Sequence, residues 1–123
     1  MSGNKLFVDT NIFLYLLDGE KTVADVLSGN QIYISFITEL ELLSFHKLNS
    51  SDEIRIKQLI KDVTIIDINN DIKQNAIEIR QEYQLKLPDA IILASAKFLD
   101  IALFTADKQL NKVKNINLIL YQK

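Results

Sequence analysis

The chain has 123 residues, with fourteen Lys and Arg, sixteen Asp and Glu, one His and no cysteine. This length suits a single domain over residues 1–123, and the missing cysteines exclude disulfides and thiolate metal sites. No apolar run approaches the roughly 18 residues of a membrane span, and residues 1–5 lead into a strand without a secretory signal pattern, so we expect a cytoplasmic protein without membrane association.

Short apolar runs alternate with helical patterns along the chain. The runs predict buried strands at 6–8, 32–34, 63–66, 101–104 and 118–120. The helical patterns predict helices at 11–17, 22–28, 36–49, 53–62, 71–84 and 88–99, with a short turn at 107–111. Strands separated by helices favour a parallel sheet with right-handed crossovers and helices on both faces. The predicted fold is therefore a three-layer α/β/α domain.

Two aspartates follow predicted strands. Asp9 comes directly after the first strand, and Asp107 lies just beyond the fourth. In open parallel sheets, functional sites form beyond the carboxyl ends of the strands, so both side chains should lie at one edge. An aspartate at a strand-to-helix junction is also a common N-cap, so either residue alone is compatible with a purely structural role.

A glutamate on the predicted 36–49 helix is more informative. At roughly 100° per residue, Glu41 lies within the apolar arc of this helix, whereas Glu39 lies about 160° away. The arc is formed by Phe36, Ile37, Leu40, Leu43, Phe45 and Leu48. A carboxylate that points inward from an apolar face is costly unless it is paired or binds a metal. We therefore expect Glu41 to face the site and Glu39 to face solvent.

The last candidate acid opens a helix that should be buried. Residues 90–96 are apolar nearly all round, and Asp89 precedes them in the first turn of the predicted helix. The helix dipole favours an anion at this position, which is a sufficient structural reason for an aspartate. As the first acid of a buried helix, Asp89 should nonetheless lie near the sheet edge.

These four acids would repel one another without cations. At ~5 Å and an effective dielectric of about 20, each like-charged pair costs ~3 kcal/mol. An all-oxygen set suits a hard ion such as Mg²⁺ or Mn²⁺, which can support phosphodiester hydrolysis. If four of the sixteen acids bind metal, twelve remain against fourteen basic residues, a balance of +2. The formal net charge of −2 therefore does not exclude an RNA substrate.

Four short motifs occur in a fixed order. They are Val8-Asp9-Thr10-Asn11, Ser35-x-x-Thr38-x-x-Glu41-Leu42, the segment 87–96 that begins Leu-Pro-Asp-Ala, and Phe104-Thr105-Ala106-Asp107. Together they resemble the PIN domain, and the chain length is most similar to VapC-type toxins of prokaryotic toxin–antitoxin pairs. The resemblance implies a five-stranded parallel sheet of order 3-2-1-4-5 and Mg²⁺- or Mn²⁺-dependent cleavage of single-stranded or structured RNA. It also implies a homodimer and a cognate antitoxin.

The resemblance assigns roles by position. The main metal ligands of the family are matched by Asp9 and Asp89. The acids that complete the catalytic cluster are matched by Glu41 and Asp107. Small polar residues that support the site are matched by Asn11, Thr38 and Thr105. The chain departs from the pattern at Phe45, where many such toxins have glycine, and at Leu110, near the usual place of an aromatic residue.

Other functions share parts of this pattern. A receiver domain with Asp67 as phosphoacceptor has a similar length, but it needs a second acid beside Asp9 and a lysine after the fifth strand. A haloacid-dehalogenase phosphatase needs Asp-x-Asp after the first strand, where this chain has Asp9-Thr10-Asn11. A third alternative is a PIN fold that binds RNA or protein without catalysis.

The apolar run 12–17 is compatible either with a helix buried on the sheet or with a contact surface.

Overall fold

The computed structural model describes residues 4–122. The elements in chain order are β1 (Lys5–Val8), α1 (Thr10–Leu17), α2 (Lys21–Ser28), β2 (Gln31–Ser35), α3 (Phe36–Leu43), α4 (Ser50–Lys61), β3 (Thr64–Ile66), α5 (Asn70–Tyr83), α6 (Leu87–Leu99), β4 (Leu103–Thr105), a 3-10 helix (Lys108–Lys112) and β5 (Leu118–Leu120). None of the helices in this part of the chain is long and apolar enough to cross a membrane.

The five strands form one parallel sheet in the order β3-β2-β1-β4-β5. This confirms the parallel sheet and the strand order that the resemblance implied. The central strand is β1, in which Phe7 pairs with Tyr33 of β2 on one side and with Leu103 of β4 on the other. Phe7 and Val8 are completely buried, as expected for a strand that is covered on both faces.

Successive side chains of the central strands enter two different cores. Phe7 and Leu103 pack with α5 and α6 on one face of the sheet. Val8 and Phe104 pack with α1, α2 and α4 on the other face. Alternation along a strand produces this division, because neighbouring side chains point to opposite faces. The predicted three-layer α/β/α architecture is confirmed.

The helices that carry the clearest patterns lie where the sequence predicts them. In α5 the buried residues are Ile72, Ala76 and Ile79, which share one face of the helix as the helical pattern of residues 71–84 indicates. In α6 every residue from 90 to 96 is buried, as its apolar composition indicates. Pro88 stands in the first turn of α6, where its missing N–H costs no helical hydrogen bond.

The predicted 36–49 helix is wrong beyond Leu43. The helix ends at its C-cap Ser44, whose hydroxyl and N–H both donate to the Leu40 carbonyl, at 2.7 and 3.0 Å. Asn49 then caps α4, with its Oδ1 accepting from the Asp52 N–H at 2.8 Å. The caps at Ser44 and Asn49 therefore split the segment that the hydrophobic pattern had predicted to be one helix.

The fourth strand begins at Leu103, two residues later than predicted. Asp100 adopts a left-handed conformation (φ 55°) at the end of α6, and the Ile101 N–H donates to the Ala96 carbonyl at 3.1 Å. This pattern closes a helix and satisfies one of its last carbonyls. Ile101 is therefore buried as part of the helix end rather than the strand.

Candidate active site

The four acids predicted from the sequence line one cavity of about 200 Å³. The cavity lies beyond the carboxyl ends of β1 and β4, against the first turns of α1 and α6. The acids that line it are Asp9, Glu41, Asp89 and Asp107, and the other lining residues are Thr10, Asn11, Leu14, Leu42 and Phe45. No basic residue appears in this lining, which belongs entirely to the described part of the chain.

Asp9 is the most buried of the four acids, with 5% of its surface exposed. It is the N-cap of α1, with Oδ1 accepting from the Thr10 N–H at 2.7 Å. Its Oδ2 accepts from the Thr105 hydroxyl at 2.6 Å. Burial raises the pKa of Asp9, these two hydrogen bonds oppose the rise, and the charges of Glu41 and Asp107 add to it. Asp9 therefore caps a helix and faces the cavity at the same time.

Thr105 connects Asp9 to Asp107. This threonine is completely buried at the end of β4, and its Oγ1 accepts from the Asp107 N–H at 3.1 Å. Asp107 in turn caps the 3-10 helix, with Oδ1 accepting from the Gln109 N–H at 2.9 Å. One hydroxyl thus fixes the spacing of two of the four acids.

Glu41 reaches the cavity for a different reason from the one that its sequence pattern suggested. The buried residues of α3 are Thr38 and Leu42, whereas Leu40 of the predicted apolar arc is 56% exposed. Glu41 itself is exposed, so the expectation that it points into an apolar interior is wrong, and Glu39 is half-buried rather than exposed to solvent as predicted. The Thr10 hydroxyl, on α1, donates to Glu41 Oε1 at 2.6 Å and so holds the carboxylate at the cavity.

The site residue that the sequence reasoning missed is Thr10. Besides its bond to Glu41, its hydroxyl oxygen lies 3.0 Å from that of Thr38, which is completely buried. Thr10 directly follows the N-cap Asp9, so its position in the first turn of α1 was the available signal. Asn11, which the resemblance assigned a supporting role, is exposed and lines the cavity.

Asp89 has the most perturbed carboxyl group in the cavity. Partial burial raises its pKa from 3.8 to about 6, and the charges of Asp9, Asp107 and Glu41 contribute to the rise. The Lys86 ammonium acts in the opposite direction but does not cancel these effects. The four carboxylates are therefore close enough for their charges to interact, and a cation in the cavity would relieve their repulsion.

The carboxylates do not form a finished ligand cage. Within residues 4–122, no group of three or more acidic or histidine side chains is arranged to hold a metal ion by itself. The donors that the cavity does offer are carboxylate oxygens, which suit a hard ion that takes one or two carboxylates directly and keeps several waters, as Mg²⁺ does.

The comparisons with known proteins agree with this geometry. The model of the PIN domain family matches residues 6–116. The chain therefore belongs to the PIN domain family. No curated protein shows significant sequence similarity to it.

Solved structures are similar over nearly the whole chain. A chain of a toxin–antitoxin complex from Klebsiella pneumoniae is 33% identical, with a TM-score of 0.80 over 93% of this chain and 95% of that one. A chain of VapBC2 from Rickettsia felis, bound to a DNA fragment from their promoter, is 21% identical, with a TM-score of 0.83 and coverages of 96% and 99%. A chain of VapBC-1 from nontypeable Haemophilus influenzae is 24% identical, with a TM-score of 0.80 and coverages of 94% and 97%.

The receiver-domain alternative fails on topology. A receiver domain has the strand order 2-1-3-4-5, with β1 and β3 as neighbours. Here β1 lies between β2 and β4, and β3 is an edge strand. Asp67, the candidate phosphoacceptor, follows this edge strand and is absent from the lining of the cavity that contains Asp9.

Proposed function

We propose that this protein is a divalent-metal-dependent endoribonuclease and the toxin of a toxin–antitoxin pair. PIN domains are generally nucleases, and the chain belongs to that family. The observation that carries the proposal is the cavity itself, in which four carboxylates meet without a basic residue in the lining. Such a site attracts cations, and a cation is what hydrolysis of a negatively charged phosphodiester needs at this position.

The metal we propose is Mg²⁺ or Mn²⁺. The donors are all oxygen atoms, which hard ions prefer. Asp9 and Asp89 would hold the ion, and Glu41 and Asp107 would complete the cluster through its waters. When bound, such an ion polarises a phosphodiester and lowers the pKa of water. The chain supplies the fixed geometry, because both oxygens of Asp9 are already positioned by hydrogen bonds.

Incubation with total RNA tests the proposed activity. Purified protein should cut RNA when Mg²⁺ or Mn²⁺ is added and should stop when a chelator is in excess. Sequencing of the new ends would give the cut position. The Asp89→Asn variant, purified in the same way, controls for contaminating nucleases. Cleavage that persists in the chelator or in the variant would contradict the proposal.

The proposed partners are an antitoxin and a second copy of the chain. The Klebsiella structure is a toxin–antitoxin complex, and its chain is 33% identical to this one. Expressed alone in bacteria, the protein should slow growth, and the product of the neighbouring upstream gene should restore it. A Lys- or Arg-bearing antitoxin tail would pair with the carboxylates of the cavity. Normal growth with soluble, metal-loaded protein would contradict the toxin role and leave the nuclease proposal intact.

The apolar run 12–17 offers limited support for a contact surface. Ile12 and Phe13 are buried against the sheet, whereas residues 14–17 are only half-buried. Phe13 and Leu16 border an apolar groove of about 650 Å³ between α1, α2 and α4. Light scattering at several protein concentrations would establish whether the chain is a dimer and whether the antitoxin changes that state.

A further inference from the structure

An exposed aromatic ring stands at the wall of the acidic cavity. Phe45 lines the cavity together with the four acids, and 37% of its surface is exposed. It lies just beyond the end of α3, four residues after Glu41. The other apolar residues of the lining are Leu14, which is half-buried, and Leu42, which is 1% exposed. Phe45 is therefore the apolar side chain that the cavity offers most openly to a ligand.

Phe45 belongs to the wall of the cavity rather than to the buried core. With 37% of its surface exposed it lies outside both groups of buried core residues, whereas Leu48, three residues later, packs against one of them. Its ring lies near that of the exposed His46, at 6.1 Å between centroids and 31° between planes. A single exposed phenylalanine is common on protein surfaces, so the position of Phe45 beside the four acids, and not its exposure, is what points to a ligand.

The backbone on both sides of Phe45 is hydrogen-bonded. Ser44, immediately before it, is tied to the Leu40 carbonyl through both its hydroxyl and its N–H. The Phe45 carbonyl accepts from the Leu48 N–H at 3.5 Å in the turn that follows. Phe45 therefore directly follows the C-cap of α3, and it lines the same cavity as Glu41, four residues before it.

An aromatic face beside a phosphodiester-cleaving site matches the chemistry of single-stranded RNA. Unpaired bases stack on aromatic side chains, whereas the bases of a duplex are already stacked on one another. We propose that Phe45 stacks on an unpaired nucleobase next to the phosphate that the four acids cleave, and so determines how tightly this chain binds the nucleotide beside the cut. This inference rests on the proposed ribonuclease function and adds the part of the substrate that the protein recognises.

Steady-state kinetics on a short single-stranded RNA test the inference. Phe45→Ala should raise KM about tenfold, because base–aromatic stacking contributes on the order of 1–3 kcal/mol per base. It should change kcat little, and Phe45→Tyr should restore KM because it keeps the ring. Phe98→Ala is the matched control, since Phe98 is 43% exposed but lies near the far end of α6. An unchanged KM in Phe45→Ala, with folded protein, would overturn the inference.

A binding measurement keeps this test separate from the test of cleavage. The chain has no tryptophan, so Phe45→Trp creates a single fluorescent reporter. In the Asp89→Asn background with Mg²⁺, oligoadenylate and oligouridylate should quench this reporter, whereas the duplex of the two strands should not. Phe98→Trp in the same background should respond to neither. Equal quenching by duplex and single strands, or none by either, would overturn the inference, even if the wild-type protein cleaves RNA.

Discussion

Two halves of the acidic cavity use the same hydrogen bond in different surroundings. On one side Asp9 accepts from the Thr105 hydroxyl, and on the other Glu41 accepts from the Thr10 hydroxyl, both at 2.6 Å. Asp9 and Thr105 are buried at the ends of the two central strands, whereas Glu41 is exposed on the short helix α3. Solvent reaches the hydrogen bond at Glu41 and can replace the hydroxyl there, whereas the bond between Thr105 and Asp9 is buried.

This difference divides the site into a fixed half and an adjustable half. In the fixed half, Thr105 joins Asp9 to the Asp107 N–H, so two acids take their places from the sheet itself. In the adjustable half, one threonine side chain joins Glu41 to α1. A buried hydrogen-bonded group costs more to disturb than an exposed one, so mutations in the two halves should have unequal effects.

The largest effect should come from Asp89, which stands beside the fixed half. Asp89→Asn keeps the side-chain volume but removes a charge that we propose holds the metal, so RNA cleavage should fall by orders of magnitude. The fold should keep or gain stability at neutral pH, because repulsion from the other three acids is relieved. Cleavage kinetics and urea unfolding on the same preparation measure both quantities. Cleavage at the wild-type rate would mean that the four-acid site is wrong.

Glu41 and Glu39 test the adjustable half. Glu41→Gln should lower cleavage by about tenfold to a hundredfold, the usual effect of losing a group that supports a metal from its outer shell. Glu39→Gln should behave nearly as wild type, because Glu39 does not line the cavity. The two variants carry the same change two residues apart on one helix, so each is the control for the other. A larger loss in Glu39→Gln would contradict the placement of Glu41.

The sheet and the buried half of the site could be predicted from the sequence for a physical reason. Parallel strands that are covered on both faces must be apolar, and the acids that follow them must lie at their carboxyl ends. Asp9 and Asp107 were therefore placed by the pattern of strands alone. Asp89 could be placed because residues 90–96 are apolar all round, which only a buried helix explains.

The adjustable half could not be predicted in the same way. The helical pattern of residues 36–49 had an apolar arc, but Leu40 and Leu43 of that arc are exposed and the buried residues are Thr38 and Leu42. One helix ends at Ser44 and the next begins after Asn49, and both ends are held by hydrogen bonds from side chain to backbone. Such bonds do not alter the spacing of hydrophobic residues, so the hydrophobic pattern does not reveal them. Glu41 was chosen correctly as a cavity residue, but for a reason that the structure contradicts.

A pair of threonine variants measures the difference between the halves directly. Thr105→Val should lower the free energy of unfolding by about 1.5–3 kcal/mol, because it removes a hydrogen bond to a buried carboxylate. Thr10→Val should cost about 1 kcal/mol, because water can bind Glu41 instead and the remaining loss is the neutral hydrogen bond with the Thr38 hydroxyl. Urea unfolding of the metal-free proteins gives both values. Equal losses would show that exposure of Glu41 does not matter and would remove the distinction between the two halves.

The smallest effect should be on the pH dependence of stability in the metal-free protein. Asp89 has a pKa of about 6 in the folded chain against an ordinary value of 3.8, so the folded state holds its proton more tightly than the unfolded state. The stability that this proton contributes is complete below the unfolded pKa and is lost as pH rises through about 6. Thermal unfolding in a chelator should therefore show stability decreasing between about pH 4 and pH 6.

The change in stability should be modest, because Asp89 is only half-buried and solvent screens its charge. The burial that raises the pKa of Asp9 acts in the same direction, so Asp89→Asn should flatten the curve without making it level. Parallel curves for the variant and the wild type would mean that the perturbed proton does not belong to Asp89.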